Sequence, residues 1–236
     1  MSLEFMGTKV LISGASRGIG YAIATAFAEK GYSVTALWHK SPEQLSTPCS
    51  GIFPLCCDVS DSASVAKLHE QVGEVDILIN NAAISKSALF TDITEAQWDE
   101  MMNVDLKSVF LMTKAFLPGM IHKKCGKIVN ISSIFGVVGG ACEVHYSAAK
   151  AGIIGLTKAL AKEVGPSGIQ VNCIAPGVID TQMNAGLSKM DMAGLREQTP
   201  LGRIGTPNDV ARLALFLAED SFITGEVIHI GGGFLR

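Results

Sequence analysis

Seven short apolar runs, rich in valine and isoleucine and not alternating with polar residues, recur along the chain at 10–12, 34–37, 52–57, 77–79, 128–131, 171–175 and 227–230. A strand with one wet face would carry a period-two pattern, so these runs mark strands buried on both faces, as a parallel sheet requires. Parallel neighbours cannot be joined by a tight hairpin. Each needs a crossover, almost always right-handed, and helical patterns fill the intervals. Thr94-Glu95-Ala96-Gln97 is a capping box that opens a long amphipathic helix. Thr206-Pro207-Asn208-Asp209 supplies an N-cap, a proline in the first turn and an acid near the positive helix end. The expected fold is therefore α/β: a doubly wound, seven-stranded parallel sheet with helices on both faces.

At 236 residues the chain suits one such domain, which would bury roughly 70 to 75% of its unfolded surface. No repeat, low-complexity tract or linker divides it, so 6–236 is expected to be a single domain. Residues 1–5 precede a second methionine, Met6, and read as an expression scar. Hydrophobic residues make up 48% of the chain, but every apolar stretch is interrupted well short of the ~18 residues a membrane span needs. A net charge of -3 without charge blocks excludes the footprint of a nucleic-acid binder. Cys49, Cys56, Cys57, Cys125, Cys142 and Cys173 show no metal-finger spacing, and most lie in apolar contexts expected to be strand or helix interior. Reduced thiols, no metal and a cytoplasmic location are the expectation.

Between the first strand and an Ala-rich helix at 21–30 runs Gly14-Ala15-Ser16-Arg17-Gly18-Ile19-Gly20. Glycines at that junction permit a tight turn, so a helix N-terminus can present free N–H groups and its positive dipole end to a pyrophosphate. The spacing is GxxxGxG rather than GxGxxG; position between strand and helix makes it a dinucleotide (Rossmann) site. The same residues spell GxSxG, a hydrolase nucleophile elbow, but Ser16 follows only one strand and no downstream His or acid stands out as its partner. At the end of the second strand an acid would bind the ribose of NAD; here stand Trp38-His39-Lys40, and basic Arg17, His39 and Lys40 favour NADP(H) unless the last two are merely a solvated turn.

Tyr146 and Lys150 share one face of a helix running from 146 to about 164. Thirteen residues before the tyrosine, Ser133 places a hydroxyl after the fifth strand, at the sheet's carboxyl end, where ligands of such folds bind.

With these residues on the page, a resemblance is clear. SGASRGIG, CDVSD at 57–61, NNAA at 80–83, Ser133 with YSAAK, APGVIDT at 175–181, PLGR at 200–203 and ITG at 223–225 together resemble a short-chain dehydrogenase/reductase over 6–236. Within that superfamily the chain is most similar to the beta-ketoacyl-acyl-carrier-protein reductases. The resemblance implies reduction of a carbonyl to an alcohol, with Tyr146 as general acid, Ser133 holding the carbonyl oxygen, and Lys150 binding ribose hydroxyls while lowering the tyrosine pKa. In magnitude this is sufficient: one cation about 4 Å away at an effective dielectric near 20 supplies roughly 4 kcal/mol, about three pKa units. The resemblance also implies Asp58 and Val59 at the adenine, Asn81 at the adenosine ribose, and Pro176, Gly177 and Ile179 at the nicotinamide. A homotetramer is implied by the resemblance alone.

Three positions depart from the family pattern. Asp105 stands seven residues after Trp98, where an asparagine commonly completes a proton relay; Ala83 adds a methyl to the usual NNAG; and Gly231 replaces an acid before the last glycines. Substrate is less constrained. The segment between Thr181 and Thr199, with Met183, Met190 and Met192, reads either as a mobile lid with an adaptable apolar face or as ordinary helix packing. His122, Lys123, Lys124 and Lys127 offer basic residues to an acidic carrier protein, although Ser167 occupies a second position that is basic in similar reductases. The alternatives are a dehydrogenase acting on a sugar, alcohol or small ketone, and an NADP-binding sensor without turnover.

Overall fold

The computed structural model describes residues 7–234, so the reading of 1–5 lies outside the described residues. Strands β1 (Lys9–Ile12), β2 (Ser33–Trp38), β3 (Ile52–Cys56), β4 (Ile77–Asn80), β5 (Gly126–Ile131), β6 (Ile169–Pro176) and β7 (Val227–Ile230) form one sheet in the order β3-β2-β1-β4-β5-β6-β7. Every pairing is parallel. The chain leaves β1 toward β2 and β3, then returns to its other side with β4, so the strand order reverses between β1 and β4. That switch point is where an open sheet of this kind leaves a crevice outside its carboxyl ends.

Helices α1 (Gly18–Glu29) and α8 (Pro207–Glu219) cover one face, with Ile23, Phe27, Val210 and Leu217 packed on Val10, Ile12, Ile77 and Ile79. On the other, Leu11, Leu78 and Ile128 meet Leu68 of α2 (Ser62–Val72), Phe116 and Met120 of α4 (Ser108–Lys123), and Ala161 and Val164 of α6 (Val144–Val164). Alternate residues of one strand thus enter opposite cores, which is why the strands carry no polar alternation.

The structure corrects three sequence expectations. The edge strands β3 and β7 are not buried on both faces; β3 accommodates Pro54, which an edge tolerates because no neighbour needs its missing N–H. The long helix opened by the Thr94 capping box is broken: α3 (Glu95–Met101) passes through a π-helical segment, Met102–Lys107, before α4 begins. And Cys49, Cys56, Cys125 and Cys142 are exposed, leaving only Cys57 and Cys173 buried, because three of the four lie in connecting segments and Cys56 at the end of an edge strand. Short helices α5 (Phe135–Val138) and α7 (Lys189–Glu197) complete the chain. Among the described residues no helix is long and apolar enough to cross a membrane, and no group of three or more His, Cys, Asp or Glu side chains is placed to hold a metal.

Candidate active site

The glycine turn after β1 is as tight as its sequence requires. Gly14 and Gly18 lie at φ +62° and +55°, the left-handed region, and a Cβ at Gly14 would sit 2.7 Å from the Ala82 Cα. At Gly20 a Cβ would meet the Gly14 carbonyl oxygen at 2.2 Å, so the helix packs backbone against backbone on the turn. Asn81 clamps it: its side-chain amide donates to the Ser13 and Gly14 carbonyls at 3.1 and 2.9 Å, while the Ser13 hydroxyl accepts the N–H groups of Asn81 and Ala82. The result is an α1 N-terminus at the switch point, with Ser16, Arg17 and Ile19 on the same turn and no acid in the helix's first turn. This cradle fits a pyrophosphate.

Next to it lies a basic margin. Arg17 is half exposed and ion-paired with Glu43, and His39 Nε2 stands 3.7 Å from Asp58 Oδ2. Burial opposes charge on Asp58, but Ser60 donates to it through N–H and hydroxyl at 2.9 and 2.6 Å, and together with His39 and Lys40 holds the carboxyl below its ordinary range. Val59 is buried beside it. No acid ends β2, as read from the sequence.

At the carboxyl ends of β5 and β6 the remaining residues converge. Tyr146 is 8% exposed, and the Lys150 ammonium, one helical turn along, lies 5.4 Å from its ring centroid. Ser133, between β5 and α5, acts on the phenol to lower its pKa, and its Oγ accepts the Phe135 N–H at 3.2 Å. The lysine backbone is fixed from two sides: the Ser132 hydroxyl donates to its carbonyl at 2.8 Å, and a Cβ on Gly136 would come within 2.7 Å of the same carbonyl carbon. Its Nζ donates to the Ile131 carbonyl at 3.3 Å and lies 3.2 Å from Asp105 Oδ2, both side chains being essentially sealed from solvent. The other Asp105 oxygen accepts the Ile84 N–H at 2.8 Å.

Burial pulls Lys150 toward its neutral form, but Asp105, with smaller contributions from Tyr146 and Cys173, outweighs it and the ammonium is held above its ordinary pKa. Burial likewise pushes the Asp105 carboxyl up against the pull of Lys150. Two opposite charges 3.2 Å apart, with an N–H on the second carboxylate oxygen, favour the ion pair as the joint state. Tyr146 departs from expectation. Burial raises the phenol, Lys150 lowers it, and the Asp105 charge raises it again, so the net direction in the ligand-free chain is upward. A cation beside a phenol lowers it only where burial does not outweigh the field, and here burial dominates, with the Asp105 carboxylate opposing the lysine as well. Beside Lys150, burial pushes the Cys173 thiol up to about 11, which keeps it neutral.

A family model described as enoyl-(acyl carrier protein) reductase matches residues 14–235. A 3-oxoacyl-[acyl-carrier-protein] reductase of Salmonella typhimurium is 40% identical, with 98% of each chain covered, and one of Chlamydia muridarum 42% identical, with 99% of each. The chain is a short-chain dehydrogenase/reductase. The solved 3-oxoacyl-[acyl-carrier protein] reductase of Brucella melitensis superposes with a TM-score of 0.90 at 34% identity, covering 100% of this chain and 99% of that one. ElxO, solved with NADP bound, gives 0.88 at 33% identity, covering 97% and 99%.

In this dehydrogenase/reductase the residues expected near the nicotinamide cluster as a turn: Pro176 accepts the Ile134 N–H at 2.8 Å, Gly177 donates to Ile230, and Ile179 is buried against Gly205. Gly231 belongs to the same turn, where a Cβ on it would lie 3.2 Å from the Gly177 Cα, a tight contact. The two chain segments touch through backbone, a contact that leaves little room for a side chain at either position. Thr181 is a neighbour the sequence reading assigned no role; its Cγ2 comes within 3.4 Å of where a Gly18 Cβ would be, so it borders the phosphate cradle. The dipeptide Asp180-Thr181 carries no local signal of that contact because it depends on β6 and β1 being brought to the same crevice.

Proposed function

We propose that the protein is an NADPH-dependent 3-oxoacyl-[acyl-carrier-protein] reductase of fatty acid synthesis, an oxidoreductase that converts a carbonyl to an alcohol. The observation that carries this reading is the juxtaposition of Tyr146, Lys150 and Ser133 at the sheet's switch-point crevice, beside a glycine cradle with a basic margin. The names of the 3-oxoacyl reductases among its relatives support the same substrate class. When bound, the nicotinamide cofactor supplies the reducing equivalent to the carbonyl carbon. Gly14, Ser16, Gly18, Ile19 and Gly20 hold the pyrophosphate through backbone N–H groups and the α1 dipole, with Arg17 and His39 at the 2'-phosphate. Arg17 exchanges Glu43 for that phosphate. Asp58 and Val59 border the adenine; Asn81 shapes the turn and faces the ribose; Pro176, Gly177 and Ile179 back the nicotinamide. Ser133 orients the carbonyl oxygen, Tyr146 donates its proton, and Lys150 provides the positive field in which that oxygen gains charge.

The segment after β6 suits an acyl substrate. Helix α7 buries none of its residues, and Met183 and Met190 are exposed, the latter at 82%. Ordinary core packing therefore does not account for these methionines, whereas a flexible thioether surface that covers an aliphatic chain does.

Carrier docking is more constrained than the sequence implied. Lys127 is not available: its ammonium is held by Gln170 and the Asp220 carbonyl, and Lys123 is paired with Asp76 at 2.6 Å. His122 and Lys124 remain exposed, but they precede β5 at the amino end of the sheet, about 16 Å of strand away from Ser133. They fit an acidic carrier docking at the active site of a partner subunit, in keeping with the proposed homotetramer and with exposed Phe110, Phe216 and Phe222. The cytoplasm is the proposed location. Steady-state NADPH oxidation should give a higher kcat/KM with acetoacetyl-carrier protein than with the same acyl group on coenzyme A or with simple ketones. Equal or lower kcat/KM for the carrier form would move the assignment to a reductase of small carbonyl substrates.

A further inference from the structure

The pair at the back of the site is unusual in its chemistry. Asp105 and Lys150 are both sealed from water, and the carboxylate oxygen facing the ammonium is buried without a well-aligned hydrogen bond. The carboxylate is delivered by the π-helical segment Met102–Lys107, a geometry costly enough in a helix that it is mostly found where a side chain must be aimed. An asparagine of the same shape would still accept the Ile84 N–H. Shape alone therefore does not require the acid.

We propose that Asp105 is a positioning residue of charge: the fixed counter-ion that keeps Lys150 protonated in the dry site and offsets the lysine's pull on Tyr146, so that the phenol remains a proton donor into alkaline solution. The inference rests on the carbonyl-reduction reading and deepens it. The groups that face this carboxylate are Lys150, Tyr146 and His145 from α6 and the Ile84 N–H from the loop after β4; Cys173 of β6 faces Lys150, and Glu143 acts on Tyr146. His145 is buried with its Nδ1 unpartnered.

Removing the charge has one sign. In Asp105→Asn the buried ammonium loses its counter-ion and is more easily deprotonated, and wherever it stays charged it draws the phenol toward ionisation unopposed. Both effects move the alkaline limb of kcat for ketone reduction to lower pH, by about one unit or more. A purely structural role predicts a lower kcat with the limb unmoved, because the amide oxygen retains the Ile84 contact.

A second readout needs no turnover. In the wild type Lys150 is raised above its unfolded value, so it contributes stability below that value and loses it as pH rises through the folded one. In Asp105→Asn the unpaired ammonium lies below its unfolded value, and its penalty is relieved as pH rises. The difference in urea midpoint between the two proteins should be widest near neutrality and close on the alkaline side; a difference constant with pH would overturn the proposal. Wild-type enzyme that fails to reduce any ketone while the stability difference still closes would remove the catalytic reading and leave the ion pair standing. Turnover with an unmoved limb and a constant difference would do the reverse.

Discussion

Tyr146→Phe is expected to lose about 10²- to 10⁴-fold in kcat while binding NADPH as the wild type does, measured by cofactor fluorescence alongside steady-state turnover. The substitution removes one oxygen from a side chain that is otherwise packed with Met101 and Ala149, so the site keeps its shape. What it deletes is the hydroxyl that sits between Ser133 and the Lys150 ammonium. Because burial and Asp105 hold the phenol above its ordinary pKa, it enters the reaction protonated at neutral pH, which is the state reduction needs. An NADP-binding sensor would instead show binding without turnover in the wild type as well.

Lys150→Met carries the second large effect, and it falls on stability as well as rate. The methionine matches the aliphatic stem but leaves Asp105 as a sealed, unpaired carboxylate, a change that costs about 3 to 5 kcal/mol when a buried pair loses one partner. The penalty depends on pH with a definite sign. Without the ammonium, burial outweighs the Ile84 N–H and His145 and raises the folded pKa of the carboxyl further above the unfolded value, so the variant is stabilised as pH falls far enough for the acid to take up a proton. Urea unfolding of Lys150→Met should therefore approach the wild type on acidification. Adding Asp105→Asn should recover most of the lost stability at neutral pH, because no unpaired charge remains, and recover none of the turnover.

Most of the scaffold was legible because it is written locally. Unalternating Val/Ile runs mark strands of a parallel sheet, covered on both sides in β1, β2, β4, β5 and β6 though not at the edges β3 and β7, and the Gly14 turn is fixed by residues a few positions apart. Tyr146 and Lys150 needed only helical spacing to be placed together. What escaped depends on contacts between distant segments. Asp105 read as a doubtful relay position until a π-helical segment, which has no local sequence signature, aimed it at Lys150. The expected depression of Tyr146 failed chiefly because burial, which a pairing of two residues in sequence does not reveal, raises the phenol, and the Asp105 charge adds to it. Gly177 and Gly231 lie 54 residues apart, and their backbone contact depends on the fold rather than on nearby sequence. Lys127 looked available for docking because its bonds to Gln170 and Asp220 arise from neighbouring strand and loop rather than from nearby sequence.

The most direct test follows the transferred hydrogen. Wild-type enzyme is given NADPH deuterated at the transferring position of the nicotinamide, together with a 3-oxoacyl thioester, and the product is read by NMR. Deuterium on the newly formed carbinol carbon is the expected result under the proposed roles, in which Tyr146 and Ser133 would hold a carbonyl oxygen. Deuterium delivered only to the carbon chain of an enoyl thioester, or none delivered to either substrate, would contradict it.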